Sequence, residues 1–161
     1  MAASYPTSVK SFTTKVDGVD DVQADHVNDL QLEVAAVETE LLTVGTWVVA
    51  VTGFSADPAN MIGRYVKRGK ICTIWVRMPT NGTSNATTFT VSLPFTAATI
   101  TNMSWVGFAV VIDNGTQKAT PGLVSISSGG TTATLVVDLA GTAWTSSGGK
   151  RATFTIEYET A

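Results

Sequence analysis

From Thr46 onward, apolar residues recur at every second position, in short stretches cut apart by glycine and asparagine. Phe89, Val91 and Leu93 fall on one side of such a stretch. Leu135, Val137 and Leu139 do the same, as do Phe154, Ile156 and Tyr158. A period of two is that of a half-buried β-strand. The interruptions Arg68-Gly69, Asn81-Gly82, Asn114-Gly115, Gly129-Gly130 and Gly148-Gly149 have tight-turn chemistry. The spacing predicts strands over Trp47–Thr52, Gly63–Lys67, Ile71–Met78, Thr87–Leu93, Ser104–Ile112, Leu123–Ser127, Thr132–Leu139 and Ala152–Glu159. About eight strands this close in sequence form an antiparallel β-sandwich or jelly roll. Twenty-six threonines and 14 glycines among 161 residues suit strands and turns.

The first 44 residues differ in sign and in period. They carry two lysines against eight carboxylates, a net charge of −6, whereas residues 45–161 carry +3. Apolar residues recur at Val27, Leu30, Val34, Val37 and Leu41, in steps of 3, 4, 3 and 4. That is the a/d seam of a heptad helix. Asp20 and Gln23 have capping-box spacing, and Gly45 is the expected stop. The predicted helix runs from about Val22 to Thr43, roughly 33 Å at 1.5 Å per residue. Two readings compete. An amphipathic helix could pack on its own β domain. The narrow stripe, with Ala35, Ala36 and Thr39 on the far side, favours an intermolecular coiled coil. The positions flanking the seam, Gln31, Glu33, Glu38 and Glu40, include no cation. A helix of under three heptads is also too short to hold an oligomer alone, so a larger interface elsewhere is expected to help. Before the helix, Tyr5-Pro6 starts an extended segment in which Val9, Phe12, Val16 and Val19 are scattered among polar residues. Such an arm has too few apolar groups to fold by itself. It is either a tail or a docking peptide ordered by a partner. The expected division is thus a docking arm over 1–21, a coiled-coil helix over 22–44 and a β head over 45–161.

Several function classes are unfavoured. A net charge of −3 argues against non-specific nucleic-acid binding. Cys72 is the only cysteine and His26 the only histidine, so no disulfide and no ordinary zinc site is expected. The start MAASYPTSVK has no apolar leader core. The longest apolar run, Val106–Ile112, falls far short of the ~20 residues of a membrane-spanning helix. No catalytic constellation is evident. His26 lies on the acidic helix, and Glu157 and Glu159 share the strand face opposite Phe154, Ile156 and Tyr158. No enzyme activity and no cofactor are expected.

The stretch 4–41, SYPTSVKSFTTKVDGVDDVQADHVNDLQLEVAAVETEL, with His26–Gln31 near its centre, resembles the attachment segment of tailed-bacteriophage fibre proteins. A second stretch, from Gly63-Arg64-Tyr65 through Arg68-Gly69-Lys70 to Ser92-Leu93-Pro94, is similar to the start of jelly-roll heads on trimeric fibres. The resemblance implies a homotrimer on a phage particle. It would be made in the host cytoplasm and carried on the virion surface. Its arm, with Tyr5, Pro6, Val9, Phe12 and Val16, would dock on the capsid or another virion protein. The small size fits a short head fibre better than a long-shafted tail fibre.

Further residues are candidates for contact. The trimer interface is expected to use Val27, Leu30, Val34, Val37, Leu41 and Trp75. Trp75 lies opposite Cys72, Ile74 and Val76, and a strand apolar on both faces points to burial between subunits. Arg64, Lys67, Arg68 and Lys70 gather about one hairpin. They could meet an anionic host glycan or the acidic stem, or simply keep the surface solvated. Trp144, in the loop Gly141–Gly149, could stack on a sugar or fill a core or interface.

Overall fold

The computed structural model describes residues 24–41 and 43–161. The arm over 1–21 and the Asp20 cap lie outside the described residues. Helix α1 spans Ala24–Leu41. Its last turn is carbonyl-rich and holds no basic residue to answer the helix dipole. Thr43 Oγ1 donates to Thr39 O at 3.1 Å there, and strand β1 spans Thr43–Trp47. Gly45 therefore sits inside a strand and does not end the helix. It is required for another reason: a Cβ at this position would collide with the Tyr65 hydroxyl.

The other strands are β2 (Val51–Thr52), β3 (Phe54–Ala56), β4 (Ile62–Arg68), β5 (Ile71–Arg77), β6 (Gly82–Ser84), β7 (Thr90–Ser92), β8 (Ser104–Asp113), β9 (Thr116–Gln117), β10 (Gly122–Ser127), β11 (Thr132–Val136) and β12 (Gly149–Glu159). They form a curled sheet in the order β1-β4-β5-β12-β8-β10-β11-β7-β2, antiparallel from β5 through to β2. A small ribbon of β3 and β6 joins the start of β12. The described chain divides into two compact units. One contains the helix with Lys67–Gly69, and the other contains Val44–Val66 with Lys70–Ala161.

Period-two burial holds along the central strands. Cys72, Ile74 and Val76 of β5, Ala152, Phe154, Ile156 and Tyr158 of β12, and Val124 and Ile126 of β10 all point into one core. The expected strand Trp47–Thr52 is broken at Val48–Ala50. There the chain passes from one end of the sheet path to the other within three residues. Ser92 ties this crossing. It exchanges hydrogen bonds with Ala50, and its carbonyl accepts the Trp47 indole N–H at 3.2 Å. The expected strand Thr87–Leu93 is shortened to Thr90–Ser92, because nearby backbone carbonyls go elsewhere. Thr87 O accepts from Trp144 N, while Ala86 O and Thr88 O accept from Lys150. Asn114 and Gly115 both take positive φ, 49° and 76°, as the two-residue turn joining β8 to β9 requires. Asn81-Gly82 is no such turn. Gly82 lies in β6, where a Cβ would meet Phe54 at 2.6 Å.

Tyr158 is fully enclosed and donates its hydroxyl proton to Phe95 O at 2.9 Å. Burial, with a smaller contribution from Cys72, pushes the phenol well above its usual range. The sign follows: the unfolded chain ionises near pH 10 and the folded chain does not. Stability carried by this group is therefore intact below pH 10 and declines above it, by up to about 1.4 kcal/mol per pH unit. Urea melts between pH 9 and 12 should show that decline, and Tyr158→Phe should flatten it.

Candidate interaction surfaces

Alternation sends every second side chain of β8 to the outer face of the sheet. These are Val106, Phe108 and Val110, 64, 64 and 58% exposed. The register extends a row to either side. Phe108 faces Leu123 on β10 and Thr155 on β12; Thr155 in turn faces Trp75 on β5, and Leu123 faces Val136 on β11. One row across five strands is thus Val136, Leu123, Phe108, Thr155 and Trp75, without a charge. In the next row Val110 faces Thr153, and Arg77 stands at its β5 end. Phe108, Val110, Pro121, Thr153 and Thr155 line a shallow open depression on this face. Glu157, two residues along β12 from Thr155, accepts a hydrogen bond from Thr73 at 3.0 Å.

The helix has a second uncovered stripe. Val27, Leu30 and Val34 are 47, 54 and 49% exposed, so about half of each seam side chain stays in water. Val37, the next seam position, is half-buried; off the seam, Glu33 is buried and Asp29 and Ala36 are half-buried. The side chain of Leu41 lies outside the described residues.

Other candidate residues fall as follows. Trp75 is 42% exposed on the outer face, opposite buried Cys72, Ile74 and Val76. Arg64, Arg68 and Lys70 are exposed, and Lys67 is half-buried. Trp144 offers no ring face to a sugar. It is buried at 2%, its indole N–H donates to Leu135 O at 2.8 Å, and its ring meets Phe89 edge-on. Of its two readings, core packing is what the geometry places. Around it the turn is held by Asp138, which accepts from the Thr142 hydroxyl and from the Ala140 and Thr142 N–H groups. The Thr142 hydrogen bonds hold this carboxyl below its usual pKa. Tyr5, Pro6, Val9, Phe12 and Val16 lie outside the described residues.

Two features escaped sequence reasoning. The first is the β8 face, although its signal was present: Val106–Ile112 is apolar at both parities, the same pattern that marked Trp75. The second is Lys150, which has no exposed surface. Its Nζ donates to Gly53 O, Ala86 O and Thr88 O at 3.0, 2.8 and 3.2 Å. It lies 5.1 to 5.8 Å from the ring centres of Phe54, Trp144 and Phe89. Among the described residues no group of three or more His, Cys, Asp or Glu is placed to hold a metal ion. No described helix is long and apolar enough to cross a membrane. No protein-family model matches the chain, and no curated protein matches it.

Proposed function

We propose that the chain is a non-enzymatic structural protein of a tailed-phage virion, a short homotrimeric fibre attached to the capsid that displays its β head, of jelly-roll type, on the particle surface. The observation that carries this reading is the uncovered heptad stripe of α1. Three apolar side chains at a/d spacing, each about half exposed, call for partner helices. The resemblance of 4–41 to phage attachment segments supplies the particle, and residues 1–21 supply the docking arm. The mechanism is avidity. Three arms on one trimer raise each other's effective concentration at the capsid, so weak individual contacts suffice. A second reading, a receptor-binding tail tip, draws on the exposed Arg64, Arg68 and Lys70, which could meet anionic host glycans. Trp144 no longer contributes to it.

The arm provides the test. A chain beginning at Val22 should keep the thermal transition of the full chain, because the buried core begins at Val49. Particles assembled with it should lack the density that the full chain adds in cryo-EM maps. Normal decoration by the shortened chain would refute docking through the arm. Density at the tail tip instead of the capsid would favour the second reading.

A further inference from the structure

We propose that the outer sheet face centred on Phe108, with Val106, Val110, Leu123 and Trp75, is the surface on which a second copy of this chain seats its own head. The inference rests on the trimeric reading above and names a contact that the helix seam does not include.

Three observations identify the occupant. The first is charge. The row Val136, Leu123, Phe108, Thr155 and Trp75 holds no ionisable side chain. A charge in this row would have to be buried against the second copy, and a neutral row carries no such desolvation cost. The nearest cation and carboxylate, Arg77 and Glu157, lie in the rows on either side of this one.

The second is shape. Phe108 projects from the face at 64% exposure and also forms one wall of the depression shared with Val110, Pro121, Thr153 and Thr155. Each copy thus offers a ring and a recess beside it. A cyclic assembly uses such a pair by seating the ring of one copy in the recess of the next. A glycan would instead ask for polar side chains converging on the recess, and its only polar side chains are the two threonines.

The third is area. Five strands ~4.8 Å apart and the Val106–Val110 rise of ~13 Å define a face of roughly 250 Å² in plan. A stable interface takes about 800 Å² from each partner. The face alone falls short, and so does a helix of 18 residues. One chain carrying both can reach the total that neither supplies.

Sedimentation equilibrium of the full chain from 0.1 to 50 µM tests this, with Phe108→Lys and Val110→Lys made separately. Both sites are more than half exposed in the single chain, so each variant should keep the thermal transition of the dissociated protein. Each should weaken association at least a hundredfold, because an unpaired ammonium would be buried at the contact. A wild-type trimer whose mass is unmoved by either substitution would overturn the head contact and leave the fibre reading standing. A wild-type monomer at every concentration would overturn both. Hydroxyl-radical footprinting of the unaltered chain gives a second readout should a variant misfold. Phe108 and Trp75 should be protected at 50 µM and oxidised on dilution. Equal oxidation at both concentrations, with protection only on assembled particles, would assign the face to another virion protein and refute the self-contact.

Discussion

Lys150→Ala should cost the β head about 3–5 kcal/mol, as much as truncating a buried aromatic ring. Lysine is rarely fully buried, and here the reason is stoichiometric. An ammonium has three protons, and three backbone carbonyls, Gly53 O, Ala86 O and Thr88 O, stand within 3.2 Å of Nζ. Those carbonyls belong to segments that no strand ladder satisfies. Phe54, Phe89 and Trp144 surround the charge with ring faces and edges, which partly replace lost hydration. Desolvation still dominates and pulls the lysine pKa below its usual value, with Asp113 opposing it. Truncation removes the donor, leaves Thr88 O without its partner, leaves Gly53 O and Ala86 O with only the Asn85 N–H and the Ser84 hydroxyl, and opens a cavity among three aromatic rings. The melting temperature should fall by roughly 10–15 °C. Lys150→Met separates the contributions, because it keeps most of the stem's packing and loses only the donor. It should recover part of the loss and no more. A Lys150→Ala protein within about 1 kcal/mol of the wild type would mean that water replaces the ammonium without cost.

Nothing local in the sequence announced that cage. Lys150 follows Gly148-Gly149 and precedes Arg151, which reads as a solvated turn, and its carbonyl partners lie 62 to 97 positions away. Trp144 was legible in part: core or interface packing was one of its readings, and only its loop suggested a sugar instead. A loop of glycine, threonine and serine looks exposed until Phe89 and Leu135 close over it. The long strands were legible because alternation survives in them, as in Phe154, Ile156 and Tyr158. Strands β3, β6 and β9 have only two or three residues and display no period. Where Thr87–Leu93 was overpredicted, a real period was overridden by carbonyls diverted to Lys150 and Trp144. The outer face of β8 is a different kind of omission. Seven consecutive apolar or small residues invited a question about membranes, while the informative feature was apolarity at both parities in a strand. A strand needs only one such face for its own core, and the other face is left to water in the single chain.

The helix stripe is exposed in the same way, and in the trimer proposed above its removal should have the largest effect on assembly. Leu30→Asp combined with Val34→Asp should convert the protein to a monomer at micromolar concentration, a loss of more than a thousandfold in association. In a trimer the two changes place six carboxylates in the seam, in a stem that already carries −6 per chain over residues 1–44. No cation occupies the flanking positions Gln31, Glu33, Glu38 and Glu40, so each buried charge goes uncompensated, at several kcal/mol apiece. The single chain should hardly notice: both side chains are about half exposed in it, and exposed helix positions cost only about 0.5 kcal/mol in propensity. Sedimentation equilibrium should therefore show a monomer whose thermal transition matches that of the wild-type chain dissociated by dilution. The loss should also be conditional. Aspartate neutralises near pH 3.9, so acidification toward pH 4 should restore association progressively, and salt should restore less, because buried charges are poorly screened. The opposite result, a trimer persisting at neutral pH with both aspartates in place, would show that the stripe is not a seam. The head contact would then have to hold the copies together unaided, which its small area makes difficult.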